Sequence, residues 1–257
     1  MDQFYKKKFA VFVMSCDNTS DVCKHFIKAY KKKTDFNYKI FIGTNKSFRN
    51  SKLLKAVPLS VKKSGWRNET ITQLRMIKKK YPKIKKILVF LDDFIIKEYN
   101  NNGDLEYFVE KAFKKNLSYL MLRKIKASFL DNLINYPSRR KKIYKMPKDY
   151  PYQCSLQVAI WDIDYFIQKL NNYKSIWDFE RQKSKRSHYF VSSSPLSYVH
   201  VVEKGEWLFY AKSVCIKSCG YFHQGSRKIL QSNFFMIKMI FSRILIFLFG
   251  EIFAKKK

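Results

Sequence analysis

Lys85–Lys97 reads KKILVFLDDFIIK. Ile87 to Leu91 is a continuous run of branched and aromatic side chains, the pattern of a strand buried on both faces of a mostly parallel sheet. The run ends in two adjacent carboxylates, Asp92 and Asp93. In an open α/β sheet the binding crevice lies beyond the carboxyl ends of the strands, which puts this pair where ligands bind. Two acids there can hold a hard divalent cation, and the cation can hold phosphate oxygens. Adjacent aspartates also serve as plain loop residues that cap the next segment.

The flanking sequence extends the same architecture. Phe9–Ser15 (FAVFVMS) reads as a first buried strand, ended by Cys16, Asp17 and Asn18. Val22, Phe26, Ile27 and Tyr30 follow at helical spacing, with Thr19 or Ser20 as the N-cap. Tyr38–Ile42 (YKIFI) is a second strand, closed by Gly43, Thr44 and Asn45. This β-α-β opening belongs to α/β folds. It carries no Gly-x-Gly-x-x-Gly and no Gly-Lys-Ser/Thr loop, which argues against dinucleotide enzymes and P-loop kinases. A helix from Ser64 to about Lys80 stops at Tyr81-Pro82, because the residue before proline is pushed out of helical geometry. Beyond the acid pair the pattern predicts a helix over Leu105–Lys115, a strand over Leu117–Leu122 and a basic loop at Ser138–Lys142. Then come a strand and turn over Tyr152–Trp161, a helix over Ile163–Leu170 and a helix start at Ser175–Glu180, where Ser175 and Asp178 resemble a capping pair. Leu196–Val202 and Val214–Ile216 read as late strands.

Composition narrows the partners. The 257 residues suit one α/β domain with an appendage. Lys+Arg 52 against Asp+Glu 20 gives a net charge of +32, which points to a polyanion, either nucleic acid or an anionic membrane surface. The five cysteines are odd in number and scattered, as expected of reduced thiols in a cytosolic setting. The first residues read as a strand rather than a signal peptide. From residue 227 the character changes. Asn233–Ala254 is nearly all apolar, broken by Lys238, Ser242, Arg243 and Glu251, and is long enough to span a bilayer. Arg227, Gln231, Lys238 and Ser242 share one side of a helical wheel, although Phe235 and Met239 intrude on it. An amphipathic interfacial helix over 227–257, appended to a domain over 1–226, fits best. A helix packed on the domain and a true span are the alternatives.

An acid pair after a central strand and a membrane-seeking basic tail suit the transfer of a group from a soluble diphosphate donor to a lipid-linked acceptor. That is glycosyl transfer from a nucleotide sugar, with a carboxylate taking the proton of the attacking hydroxyl. FVMSCDNTSD near the start, YKIFIGTN and VFLDDFII together resemble bacterial GT-A type glycosyltransferases of surface-polysaccharide (lipopolysaccharide or capsule) biosynthesis. The resemblance continues through YPYQCSLQVAIWDIDYF, SIWDFERQKSKRS and VEKGEWL, covering about residues 8–226. Asp178 stands where relatives usually carry Glu, and Glu206 stands where they carry Lys.

The resemblance implies a Rossmann-like, mostly parallel central sheet flanked by helices. It implies Asp93 as ligand of a divalent cation, Mn²⁺ or Mg²⁺, with Asp92 beside it, and His223 as a further metal or diphosphate ligand. Cys16, Asp17, Thr44 and Asn45 would border the nucleotide, and Arg186 and Lys228 the diphosphate. Trp161, Asp178 and Glu180 would lie on the acceptor side, with Asp178 or Glu180 as the base. The implied partners are a nucleotide-sugar donor, a lipid-linked saccharide acceptor and an anionic membrane surface, with the protein peripheral on the inner face of the plasma membrane. Two rivals stand beside this reading. A basic nucleic-acid-binding protein would lack any recognisable aromatic–basic signature and leave the acid pair unused. An inactive scaffold of a polysaccharide-assembly complex is the other.

Overall fold

The protein is seen here as a computed structural model, which describes residues 3–45, 56–99, 104–125, 142–148, 150, 152–173, 175–181 and 184–230, together with 241–242, 244–246 and 248. The chain opens with a short helix, α1 (Gln3–Lys6), and β1 (Phe9–Met14). It continues through α2 (Ser20–Lys33), β2 (Lys39–Thr44), β3 (Val57–Ser60) and α3 (Trp66–Lys80). Next come β4 (Lys86–Leu91), β5 (Phe94–Tyr99), α4 (Asp104–Lys114) and β6 (Tyr119–Met121). β7 (Ile143–Lys145), β8 (Ala159–Asp162), α5 (Ile163–Asn171), α6 (Ile176–Arg181) and β9 (Tyr189–Val191) complete the main sheet and its helices. β10 (Leu196–His200), β11 (Val202–Glu203), β12 (Glu206–Leu208), α7 (Ala211–Cys219) and β13 (Ile229–Leu230) follow.

The central sheet runs in the order β3-β2-β1-β4-β8-β6-β9-β7. β3, β2, β1 and β4 are parallel, and β6 pairs parallel with β9. β8 lies antiparallel between β4 and β6, and β7 is an antiparallel edge strand. The expected mixed α/β fold, a mostly parallel sheet flanked by helices, is therefore present.

Both faces of the sheet are covered, and the pleat decides which side chain goes where. Val11 and Val13 of β1 with Leu88 and Phe90 of β4 pack on α2 and α4. Phe12 of β1 with Ile87 and Val89 of β4 pack on α3 and α5. Alternate residues of one strand thus enter opposite cores, which is why the strand sequences are apolar without alternation. Trp161 is wholly buried among Tyr119, Phe166 and Phe179 in the second core.

One expectation is corrected. Val214–Ile216 is no strand but part of α7, whose Ala211, Cys215 and Ser218 are buried at helical spacing. Gly220, at φ 85°, ends that helix in the left-handed conformation that glycine tolerates. Three apolar residues cannot distinguish the two periods by themselves. The Tyr152–Trp161 segment is strand and turn as expected, with turns around Gln153 and Ser155 leading into β8 at Ala159. The Ser138–Lys142 loop lies outside the described residues save Lys142. So does most of the expected tail. Arg227–Leu230 belong to the folded body, since Ile229 and Leu230 pair with β12. Among the described residues no helix is long and apolar enough to cross a membrane.

One buried network ties α5 to the start of β9. His188 Nδ1 lies 2.6 Å from the Gln153 carbonyl, so that nitrogen carries the proton and Nε2 accepts from the Tyr165 hydroxyl at 2.8 Å. Burial pushes the His188 pKa down to about 4, against the raising effect of the Gln153 carbonyl. The unfolded chain, with an ordinary value of 6.5, binds a proton where the native state does not. Stability should therefore fall as pH drops from 6.5 towards 4, at about 1 kcal/mol per pH unit from this group. Denaturant melts of the native protein and His188→Gln across that window measure it. Equal pH slopes in the two proteins would remove His188 as the source.

Candidate functional site

Beyond the carboxyl ends of β1 and β4 lies a crevice of about 550 Å³. Its floor is the acid pair. The parallel register sets Met14 beside Leu91, and the Asp92 amide donates to the Met14 carbonyl at 3.2 Å. Continuing the pleat, Asp92 turns to the α2 side, where the Thr19 hydroxyl donates to its Oδ2 at 2.6 Å. Thr19 is the residue before the first turn of α2, yet its side chain makes no capping bond there. Its hydroxyl serves the carboxyl instead. Asp92 is only 6% exposed. Burial, and then the charge of Asp93, push its carboxyl up to about 7, against hydrogen bonds from Ser15 and Thr19 and the charge of Arg227.

Asp93 faces the other wall. Its Oδ2 lies 3.0 Å from His200 Nε2, at the end of β10, and its carbonyl accepts from Val201 at 3.0 Å. β10 pairs antiparallel with β5, setting His200 opposite Phe94, next to the acid pair. Burial disfavours the imidazolium, but the Asp93 hydrogen bond and the charges of Asp93 and Glu203 outweigh it, so the His200 pKa is raised. The second oxygen, Asp93 Oδ1, is buried with no hydrogen-bond partner among the described residues.

The ends of the first two strands form one cluster. Asp17 Oδ1 accepts from the Thr44 hydroxyl and from the Asn45 amide, both at 3.0 Å, and the Asp17 amide donates to Asn45 Oδ1 at 3.3 Å. Cys16 lines the crevice beside them. From α6, Glu180 also lines it, with Oε1 accepting from the Ser155 hydroxyl at 3.0 Å and the Leu156 amide at 2.9 Å. Asp178 is exposed and bonded to Ser175, which donates to it at 2.7 Å, and it is not among the lining residues.

The remaining residues named from sequence are dispersed. Lys228 sits in a neighbouring groove with Asp17, Asp21 and Lys204. His223 is exposed, and its amide donates to His25 Nε2 at 3.0 Å. Arg186 stacks on Tyr165 near the starts of β6 and β9, outside the crevice. Trp161 is in the core; the tryptophan that reaches the crevice is Trp66.

Sequence reasoning missed His200 and Arg227. His200 is brought to Asp93 by a pairing between strands about a hundred residues apart, which no local pattern announces. Arg227 clasps Asp21 through Nε at 2.7 Å and Nη2 at 3.1 Å. It also donates to the Gly205 carbonyl at 2.8 Å and to the Asn18 carbonyl. Gly205, at φ 85°, and Lys204, at φ 50°, form the tight turn of the β11–β12 hairpin, so this clasp joins that hairpin to the start of α2.

The crevice is acidic in a basic protein. Glu69, Asp92, Asp93, Glu180 and Glu203 line it, against Lys204 and Arg227. No cluster of three or more metal-ligating side chains occurs among the described residues. The donor set nevertheless fits a cation of the kind held by one or two carboxylates and completed by water and ligand phosphates. Asp93 Oδ1, buried and without a partner among the described residues, is the oxygen that such an ion would take.

No family profile and no curated protein matches this chain. Similar solved structures include A197 from STIV, at 10% identity and a TM-score of 0.37, covering 76% of this chain and 86% of that one. S. aureus TarS residues 1–349 align at 13% identity and a TM-score of 0.37, over 73% of this chain and 60% of that one. A longer S. aureus TarS chain aligns at 11% identity and 0.38, over 73% of this chain but 36% of its own length. TM-scores this low establish no kinship.

The clasp yields a direct test. Both side chains are mostly shielded from solvent, and the contact has two parallel hydrogen bonds, the geometry in which Arg–carboxylate pairs are strong. A double-mutant cycle of Asp21→Asn and Arg227→Met, read by denaturant unfolding, should give a coupling on the order of 1–3 kcal/mol. Additive single effects would mean that the pair holds nothing together.

Proposed function

We propose that this chain is a glycosyltransferase that moves a sugar from a nucleotide-sugar donor to a lipid-linked saccharide acceptor at an anionic membrane surface. The observation that carries the reading is the acid floor of the crevice with the unpartnered Asp93 Oδ1. A diphosphate entering there alone would be repelled by the carboxylates around it, so its binding requires a divalent cation, Mn²⁺ or Mg²⁺, at Asp93. Bound there, the cation offsets the charge that develops on the departing diphosphate. The same lining disfavours nucleic acid in this crevice.

The chain's own residues take the remaining roles. His200 fixes the Asp93 carboxylate by holding Oδ2, which leaves Oδ1 to the ion. Cys16 would border the nucleoside beyond β1, while Asp17, Thr44 and Asn45, which do not line the crevice, brace the strand ends behind it. Glu180, on the crevice, is better placed than Asp178 to accept the acceptor's proton, and its bonds to Ser155 and Leu156 hold it in position. Arg227 is the arginine at the crevice, in the place that sequence reasoning gave to Arg186.

Titration calorimetry of UDP and GDP with and without Mn²⁺ tests the metal assignment. Asp93→Asn should abolish metal-enhanced nucleotide binding and reduce transfer to background, whereas Asp92→Asn should cost less, because the Asp92 carboxyl is mostly buried and engaged by Thr19. Glu180→Gln should lower turnover by orders of magnitude while nucleotide affinity holds. Undiminished metal dependence in Asp93→Asn would sink the assignment.

Membrane association rests on the segment after Leu230. Its described residues Phe241, Ile244 and Leu248 are exposed at 60%, 49% and 48%. They are spaced for one helical face, as in an interfacial helix. Removing residues 231–257 should release the protein from phosphatidylglycerol-containing vesicles at moderate salt, where screened charge contributes little, and leave nucleotide binding intact. Unchanged sedimentation with vesicles would assign the segment to packing on the domain.

A further inference from the structure

At the edge of the sheet where β4, β6 and β9 begin, opposite the acid crevice, lies a second cavity of about 380 Å³. Lys145, at the end of β7, and Lys148 border it on one side, Lys185 and Arg186 on the other. No carboxylate among the described residues lines it. We propose that this cavity is a binding site for a phosphate group, carried either by a soluble phosphate or phosphate ester or by an anionic lipid headgroup.

The first support is that the site is built. Its two basic segments come from different parts of the chain and are pinned together by a buried amide. Gln153 is 7% exposed. Its Oε1 accepts from the Ser184 amide at 2.8 Å, and its Nε2 donates to the carbonyls of Pro147, at 3.4 Å, and Lys148. The Met146 amide closes the same seam on the His188 carbonyl at 2.7 Å. Arg186 lies over the Tyr165 ring, 4.9 Å from its centroid, and donates to the Ser118 hydroxyl at 3.3 Å. The two backbone segments that carry these like charges are thus held side by side, an arrangement that an anion relieves.

The second support is the treatment of charge elsewhere on this edge. Asp162 is paired with Lys86, and Asp164 with Lys78. None of Lys145, Lys148, Lys185 and Arg186 is within ion-pair distance of a carboxylate among the described residues. All four are exposed at the rim, with donors free to reach an oxyanion. Arginine and lysine together around a small cavity suit phosphate, one by planar donors and the other as a point charge.

Phosphate titrated into the full chain by calorimetry tests this, alongside vesicles of phosphatidylcholine with and without phosphatidylglycerol. Lys145→Ala/Lys185→Ala should weaken phosphate on the order of tenfold or more. Lys31→Ala/Lys32→Ala, which removes equal charge from an exposed stretch of α2, should leave it unchanged, and Lys145→Arg/Lys185→Arg should retain it. If the first pair also releases the protein from phosphatidylglycerol vesicles, and phosphate competes with them, the ligand is a lipid headgroup. If vesicle binding is unmoved while phosphate affinity falls, the ligand is soluble. Phosphate binding that both alanine pairs weaken equally, or that neither weakens, overturns the site.

Discussion

A strand can lead only alternate side chains to one face, and β4 ends with two carboxylates in succession. One of them must continue into the core side of the sheet. That is Asp92, carried by the pleat of Leu88 and Phe90 towards α2. A carboxyl in that position is costly unless something donates to it. The fold supplies Thr19, taken from the helix start that it would otherwise cap, and so the first turn of α2 is anchored to the end of β4. With Asp92 satisfied inward, the chain turns at Asp93, and β5 leaves the central sheet to pair with β10. The crevice is the consequence of that turn. Its floor is β4, its far wall is the strand that delivers His200, and its rim is the hairpin that Arg227 holds to Asp21.

The strands buried on both faces were legible because burial on both sides leaves a continuous apolar run, and β1, β2 and β4 carry such runs. The β-α-β opening and the helices α2 and α3 followed from periodicity and from Pro82. The position of the acid pair at the crevice was legible because strand ends in such sheets face it. What escaped was whatever depends on pairing at long range. His200 is an ordinary strand-end histidine until β10 is set against β5. Arg227 looks like the first residue of a tail until its guanidinium is placed on Asp21. His223 and Arg186 drew attention as chemistry-bearing residues near quoted motifs, but nearness in sequence did not bring them to the crevice. Asp178 and Glu180 are two residues apart on one short helix, and so they point in different directions. Which of them reaches the crevice depends on how α6 is seated, a tertiary fact.

Charge, finally, has a direction in this molecule, and topology sets it. In a parallel β-α unit the helix leaves from the carboxyl end of one strand and ends at the start of the next. α2 closes with Lys31, Lys32 and Lys33, α3 with Lys78, Lys79 and Lys80, and α4 with Lys111 and Lys114 in its last turn. Cations at helix carboxyl ends are favoured by the exposed carbonyls there. The strands begin from the same edge: Lys8 precedes β1, Lys39 begins β2, and Lys85 precedes β4. The amide of Lys85 donates to the Lys8 carbonyl at 2.9 Å, placing two of these entries side by side. These lysines of the described residues therefore gather towards the starts of the strands, while five carboxylates line the crevice at the other edge. On the function proposed above, a phosphate-bearing ligand would enter the acidic crevice only with its charge offset, so that entry would depend on what accompanies the ligand rather than on long-range attraction.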